Sequence, residues 1–401
     1  MKAFSFVHAS DLHLGFAQYG LEARRQDFDN AFTELVDKTI MLKPDFMIIA
    51  GDLFHQARPS NTTLENAIRN FKHLRDAEIP VLTVDGSHDS APNMITGTIL
   101  TPLDSAGLIY HLPRSEGACW KKADCCYVYG VPNFRSRRKT DEALPEFMLQ
   151  KPPNPDSSIA NIFVLHMGID IPNVTPSYIE AEASPELIPE GFDYYAAGHV
   201  HERYMAKFKD GILVYSGCTE TANYEEANRQ KGFFHVTVSQ KAEFSPNFIE
   251  LESPRKFIIL DQDFSGMNST KITMLAAQAV KNADTQGAVI TSVLRGVLPA
   301  ESSRTEVDVA KIRSPAEKAL FTNVLVQLRE SAISEEIVQS IFESEFKDLK
   351  TKAYEYFIQI FSERYGKEHS DRIARAALSL IEPLNRKQEE KVKQVIEELQ
   401  K

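Results

Sequence analysis

Aspartate and histidine recur in short groups through the first half of the chain, each directly behind an apolar run. Asp11-Leu12-His13 follows the first run, Gly51-Asp52-Leu53-Phe54-His55 the second and Gly86-Ser87-His88-Asp89 the third. His166 ends a fourth run, and Gly198-His199-Val200-His201 follows a fifth. Carboxylate oxygens mixed with imidazole nitrogens suit Mn, Fe or Zn better than Ca or Mg alone. Asp11, His13, Asp52, His166, His199 and His201 together exceed the three protein donors and one water of a tetrahedral catalytic zinc. The set fits two cations, ~3.5–4 Å apart, that share a bridging carboxylate and clamp a phosphoryl group. Asp52 is the natural bridge, because Gly51 before it lets the backbone turn sharply. His88 lies beside that centre, in position to protonate a departing alkoxide as general acid.

Rigid elements must aim these side chains. Phe4–Ala9, Asp45–Ala50 and Pro80–Val84 read as buried strands, with helices over Leu21–Leu42 and Thr62–Ala77 between them. Thr62 and Glu65 have the spacing of a capping box. Strand–helix–strand alternation favours an α/β domain with parallel pairing, whose ligand sites lie at the carboxyl ends of the strands. Further strands are expected at Cys126–Val131, Asn161–His166, Tyr194–Ala197, Ile212–Ser216, Gly232–Val238 and Glu243–Glu250, the last three as an antiparallel meander. The sum is a sandwich of mixed sheets flanked by helices, over residues 1–252.

After Pro254 the texture changes. Phe257–Phe264 and Ala288–Leu298 read as strands around a helix at Ser269–Asn282, and Ser314-Pro315-Ala316-Glu317 reads as the start of another helix. Residues 253–330 thus form a small α+β module. From Ile333 the chain reads as helical, with Phe342, Phe346, Leu349, Ala353, Tyr356/Phe357 and Ile360 in one stripe and Val392, Val395, Ile396 and Leu399 in another. Lys151–Ser158, with three prolines, reads as a surface loop.

Composition bounds the function. The chain has 401 residues and a net charge of −11, so it does not attract polyanions through its overall field. No apolar run approaches the ~18 residues of a membrane span, and the chain enters its first strand with no signal-peptide pattern before it. Cys119, Cys125, Cys126 and Cys218 have no metal-like spacing and form no disulfide framework, which points to a reducing, cytoplasmic setting.

In their order, Asp-x-His, Gly-Asp, Gly-x-His-Asp, His and Gly-His-x-His resemble the calcineurin-like metallophosphoesterase superfamily. More narrowly, two stretches resemble the SbcD-type nucleases, the Mre-eleven family of double-strand-break repair. One is Gly51–His55 with Pro59-Ser60; the other is Tyr215-Ser216-Gly217-Cys218-Thr219-Glu220 with Lys231-Gly232-Phe233. The resemblance implies a four-layer metallophosphoesterase sandwich, a capping domain at 253–330 and a helical region at 331–401. It implies two manganese ions per subunit, one on Asp11, His13, Asp52 and His201, the other on Asp52, His166 and His199. It makes His88 the catalytic histidine and gives His55 a secondary role near the substrate in cutting single strands. The superfamily has an asparagine before the catalytic histidine; here that residue is Ser87, whose shorter hydroxyl coordinates directly or through a water.

The implied activity is that of a manganese-dependent DNA exonuclease and single-strand endonuclease. Its implied partners are DNA, a second copy in a homodimer, and an SbcC-type (Rad-fifty) ATPase gripped by the C-terminal helices. Alternative readings are a phosphoesterase for small molecules or phosphoproteins, and a repair scaffold whose nuclease site has decayed. Against the phosphoprotein version, Gly51–His55 lacks a Val-Asp-Arg-Gly continuation. Arg135, Arg137, Arg138 and Lys139 read as a solvated loop, with a phosphate-backbone contact as the rival reading. Cys218 reads as a small buried residue, and His8, His73, His111, His235 and His369 lie off the motifs.

Overall fold

The computed structural model describes residues 1–90, 97–172, 174–175, 180–300, 302–330, 354, 357–358 and 367–385. The chain divides into two compact units, the first comprising Met1–Ile258 with Gly287–Val289 and the second the remainder.

Two mixed six-stranded sheets build the first unit. In the first sheet, β1 (Phe4–Ala9), β2 (Phe46–Ile49), β3 (Val81–Thr83) and β4 (Tyr110–His111) run parallel. The antiparallel pair β11 (Gly232–Val238) and β12 (Phe244–Glu250) joins this sheet at β1. The second sheet has the order β5 (Cys119–Lys122), β6 (Cys126–Gly130), β7 (Ala160–His166), β8 (Tyr194–Gly198), β10 (Gly211–Tyr215) and β9 (Tyr204–Phe208). Its four central strands are parallel.

Side-chain alternation makes four layers. Phe4, Phe6, Phe46, Ile48 and Ala50 face the other sheet's Val128, Ile162, Val164, Tyr194 and Ala196 in a core between the sheets. The intervening residues Val7, Ala9, Met47 and Ile49 point the opposite way. They pack on Phe32 and Leu35 of α1 (Glu22–Leu42), on Ala67 and Phe71 of α2 (Asn61–Asp76) and on Leu100 and Leu103 of α3 (Leu100–Ser105). Beyond the second sheet, Tyr129, Phe163, Leu165 and Tyr195 pack on Leu144 of α4 (Arg137–Gln150). A period of two on each strand, with both faces apolar, is what a sheet buried on both sides requires.

Four expectations are corrected. Ser60 caps α2, its Oγ accepting from the Thr63 N–H at 3.1 Å, so the capping residue lies two positions before Thr62. The expected meander is split, because β10 pairs with β8 and β9 in the second sheet while β11 and β12 pair in the first. Only Arg135 of the basic run lies in a loop: Arg137 opens α4 and pairs with Asp141 one turn on, as Arg138 does with Glu142. Ser314-Pro315 starts no helix. It follows the short α6 (Val309–Arg313), capped by Asp308, and the backbone N–H groups of Glu317, Lys318 and Ala319 donate to the Asp284 carboxylate.

The second unit holds a three-stranded sheet of β13 (Phe257–Asp263), β14 (Val289–Leu298) and β15 (Phe321–Glu330), with α5 (Ser269–Ala283) capped by Asn268. Ile272, Ala276 and Val280 form the buried face of α5. A last helix, α7, spans Lys367–Asn385. Apart from Phe357, the residues of both C-terminal stripes lie outside the described residues. Among the described residues, no helix is long and apolar enough to cross a membrane.

The imidazole of His8 sits between the sheets. His8 is fully buried, and its Nδ1 lies 3.0 Å from the Tyr194 hydroxyl. Burial lowers its pKa to about 3, against 6.5 for the free side chain, so the unfolded chain binds the extra proton between those values. Stability from this group is therefore lost as pH falls below the unfolded value. Going from pH 7 to pH 5 is expected to cost the first unit about 2 kcal/mol through His8. Urea midpoints at the two pH values measure this, and His8→Asn should shrink the difference.

Candidate metal centre

The parallel strands of both sheets deliver their carboxyl ends to one place. Asp11 and His13 follow β1, Asp52 and His55 follow β2, and Ser87 and His88 follow β3. From the second sheet, His166 is the last residue of β7, and His199 and His201 follow β8. Backbone hydrogen bonds lock the first two loops together, from Asp11 N–H to Gly51 O (3.1 Å) and from His13 N–H to Asp52 O (3.0 Å).

Donor atoms converge there. His166 Nε2 stands 3.2 Å from an Asp52 oxygen and 3.9 Å from Asp11 Oδ1. His201 Nε2 stands 3.7 Å from the same Asp11 oxygen and 3.1 Å from His13 Nε2. The groups Asp11–His13–His201 and Asp11–Asp52–His166 each offer donors close enough to hold one cation. Asp11 is thus common to both groups, whereas the sequence motif singles out Asp52 as the bridge. His199 is turned aside: its Nε2 lies 3.7 Å from Glu182, and its backbone N–H donates to both Asp11 oxygens at 3.1 Å. Ser87 Oγ is 3.4 Å from Asp52. His88 is exposed, its N–H donates to Asp52 Oδ1 (2.8 Å) and its Nδ1 lies 2.8 Å from the His55 carbonyl. The rings of His13, His55 and His88 lie 4.9–5.5 Å apart, and Phe16 stacks on His55 at 3.8 Å.

The local backbone is strained to allow this. Asp11, His13, Asp52 and His199 have φ of 55°, 48°, 50° and 89°. Side chains rarely adopt such values, which cost of order 1–3 kcal/mol each and persist only where surroundings enforce them. Two glycines clear the space. A Cβ on Gly86 would fall 2.0 Å from Asp52 Oδ1, and one on Gly198 would fall 2.1 Å from the Ala50 carbonyl and 2.8 Å from His166 Nδ1.

The donor chemistry fits a cation. His166 Nδ1 faces the Ala50 carbonyl at 2.8 Å and so carries the ring proton, leaving a buried Nε2 with no hydrogen-bond partner aimed at the carboxylates. Burial opposes charge on His166, yet Asp52 and Asp11 bring its pKa up to about 10. Burial holds His13 well below its usual value and His199 near about 3, so both rings present free lone pairs. Burial raises Asp11, whereas at Asp52 the charges of His166 and His13 outweigh burial and hold the carboxyl well below its ordinary range. A divalent cation meets this need better than one protonated imidazole.

Sequence reasoning gave no role to several residues around the centre. Asp89, fully buried, accepts from the backbone N–H groups of Phe54, Leu53 and Gly86 and ties the second loop to the third. Burial and Asp52 raise its pKa to about 7. Glu182 faces His199, Asn133 donates to the His166 carbonyl, and Ser10 Oγ donates to Asp11. Only Asp89 stands inside a recognisable motif.

Residues 4–203 match the family model described as calcineurin-like phosphoesterase, a dimetal-dependent class of hydrolases. The chain is 32% identical over 271 residues to "DNA double-strand break repair protein Mre11" of Methanocaldococcus jannaschii, covering 66% of this chain and 69% of that protein. It is 28% identical to the protein of the same description from Archaeoglobus fulgidus, covering 85% of this chain and 79% of that one. For the Saccharolobus solfataricus counterpart the identity is 32%, with 57% of each chain covered. With its strand-end aspartates and histidines gathered as described, the chain belongs to the Mre11 family of calcineurin-like phosphoesterases.

Proposed function

We propose that the protein is a manganese-dependent DNA phosphodiesterase acting in double-strand-break repair, as an exonuclease and single-strand endonuclease. The observation that carries this reading is the convergence of Asp11, His13, Asp52, His166 and His201 beneath an exposed His88. Support also comes from the repair proteins to which the chain is 26–32% identical.

Asp11, His13, Asp52 and His201 would hold one cation, and Asp52, His166 and His199 the other, with Ser87 beside Asp52. Both His166 and His199 lie at the tip of the second sheet, and to join this site the His199 ring would leave its place beside Glu182. When bound, the pair polarises the phosphoryl oxygens and lowers the pKa of an attacking water. In its doubly protonated imidazolium form His88, with Nδ1–H donating to the His55 carbonyl, would give the Nε2 proton to the departing sugar oxygen and be left as the neutral Nδ1–H tautomer. His55, braced by Phe16, lines the approach beside His88. The cytoplasm is the corresponding setting. Residues 1–252 would be the nuclease domain, 253–330 its cap, and 331–401 the region that engages the ATPase partner. A homodimer and an ATPase with its own DNA surface would offset the acidic field of this chain.

His88→Ala should retain manganese and lose about 10²–10⁴-fold in cutting rate. Labelled single- and double-stranded DNA ends measure the rate, and wild-type activity in the variant would remove His88 from the mechanism. Metal counts separate the ligands. His166→Ala should fall from two manganese per chain to one, while Asp52→Ala should retain less than His166→Ala. Elemental analysis of protein equilibrated with manganese reads both.

A further inference from the structure

The stretch from Ser216 to Lys231 lies outside the metal-ligand motifs, yet it touches one side of the centre repeatedly. Ser216 Oγ lies 2.8 Å from the Ser10 Oγ that bonds Asp11. Gly217 takes φ +75° where a Cβ would fall 3.0 Å from the His201 carbonyl, and the Cys218 N–H donates to that carbonyl at 3.1 Å. From further along, Glu226 Oε1 reaches His201 Nδ1 at 2.7 Å. Its second oxygen lies 3.3 Å from the Ala222 N–H, 3.5 Å from Cys218 Sγ and 3.7 Å from Lys231 Nζ, which also lies 3.2 Å from the sulfur. Glu226, Cys218 and Lys231 are all buried.

We propose that Glu226 is a positioning residue for the cation side formed by Asp11, His13 and His201. By holding the Nδ1 proton of His201 it fixes the tautomer and turns Nε2 toward Asp11 and His13. A carboxylate on the far nitrogen of a ligating imidazole also makes the near nitrogen a better donor, and removing such a partner typically costs 10–100-fold in metal affinity. Lys231, Cys218 and the Ala222 N–H hold Glu226 in turn, so the segment works as a bracket. Cys218 serves the bracket through contacts of its sulfur, which lies 3.2 Å from Lys231 Nζ and 3.5 Å from the His201 carbonyl. The inference rests on the two-cation reading of the centre.

Manganese titration of the full chain, followed by the spectroscopic signal of free Mn²⁺, tests it in wild type, Glu226→Gln and Glu226→Ala. One of two binding events should weaken, by roughly tenfold in Glu226→Gln and by up to 100-fold in Glu226→Ala, the other keeping its wild-type affinity. Adding Glu226→Gln to His166→Ala should weaken the single event that remains. Where Glu226→Ala melts at a lower temperature, the isosteric Glu226→Gln decides. Two events of wild-type affinity in Glu226→Gln, or equal weakening of both, overturns the positioning role. Fewer than two events in the wild type would instead overturn the two-cation reading.

Discussion

Two buried carboxylates, Asp11 and Asp52, face the imidazole of His166, and much of the first unit serves to keep them there. Both are essentially inaccessible to solvent, where like charges repel strongly and ionised groups lose their hydration. The fold offsets this with oriented donors: the His199 N–H on Asp11 and the His88 N–H on Asp52. A positive charge in the pocket is still required. The high pKa of His166 states that requirement in the form the protein alone can satisfy.

Topology is what lets one pocket draw on two sheets. The parallel strands β1, β2 and β3 end at the same edge of the sandwich as β7 and β8, so the loops at their tips face each other. His166 crosses the seam, reaching the Ala50 carbonyl of the first sheet from the second. Gly198 permits that approach by leaving no Cβ against Ala50. The core of Phe6, Phe46, Ile162 and Tyr194 sets the spacing between the sheets, so packing far from the pocket fixes distances within it.

The strands that carry the candidate ligands were legible because each is an apolar run closed by a polar group. β1 and β11 have the expected bounds, and the other central strands differ by a residue or two. Edge elements were harder. β9 alternates partly exposed residues, and β5 carries two lysines, so neither has the apolar density of a central strand. β15 was hidden by the Ser-Pro pair before it, a strong local helix signal overridden by the Asp284 carboxylate from 30 residues upstream. Within the site, residue types at strand tips singled out the aspartates and histidines that gather there. Glu226 on His201 and Glu182 beside His199 were invisible because nothing local ties a glutamate to a histidine distant in sequence.

The side of the pocket around Asp52 is braced differently from the side around His201. A serine hydroxyl is shorter than a carboxamide, and Ser87 stands 3.4 Å from Asp52, at the limit of hydrogen bonding. Asp52 therefore depends on the backbone N–H of His88 at 2.8 Å. That N–H belongs to the residue whose ring faces the entrance. The orientation of the Asp52 carboxylate and the location of His88 are thus one constraint, set by the turn at residues 86–89. Asp89 holds that turn, with one carboxylate spanning Gly86 on its own loop and Leu53 and Phe54 on the loop of Asp52. Because the two loops share this clamp, a displacement of either moves the Asp52 carboxylate and the His88 imidazole together, which preserves their relative geometry.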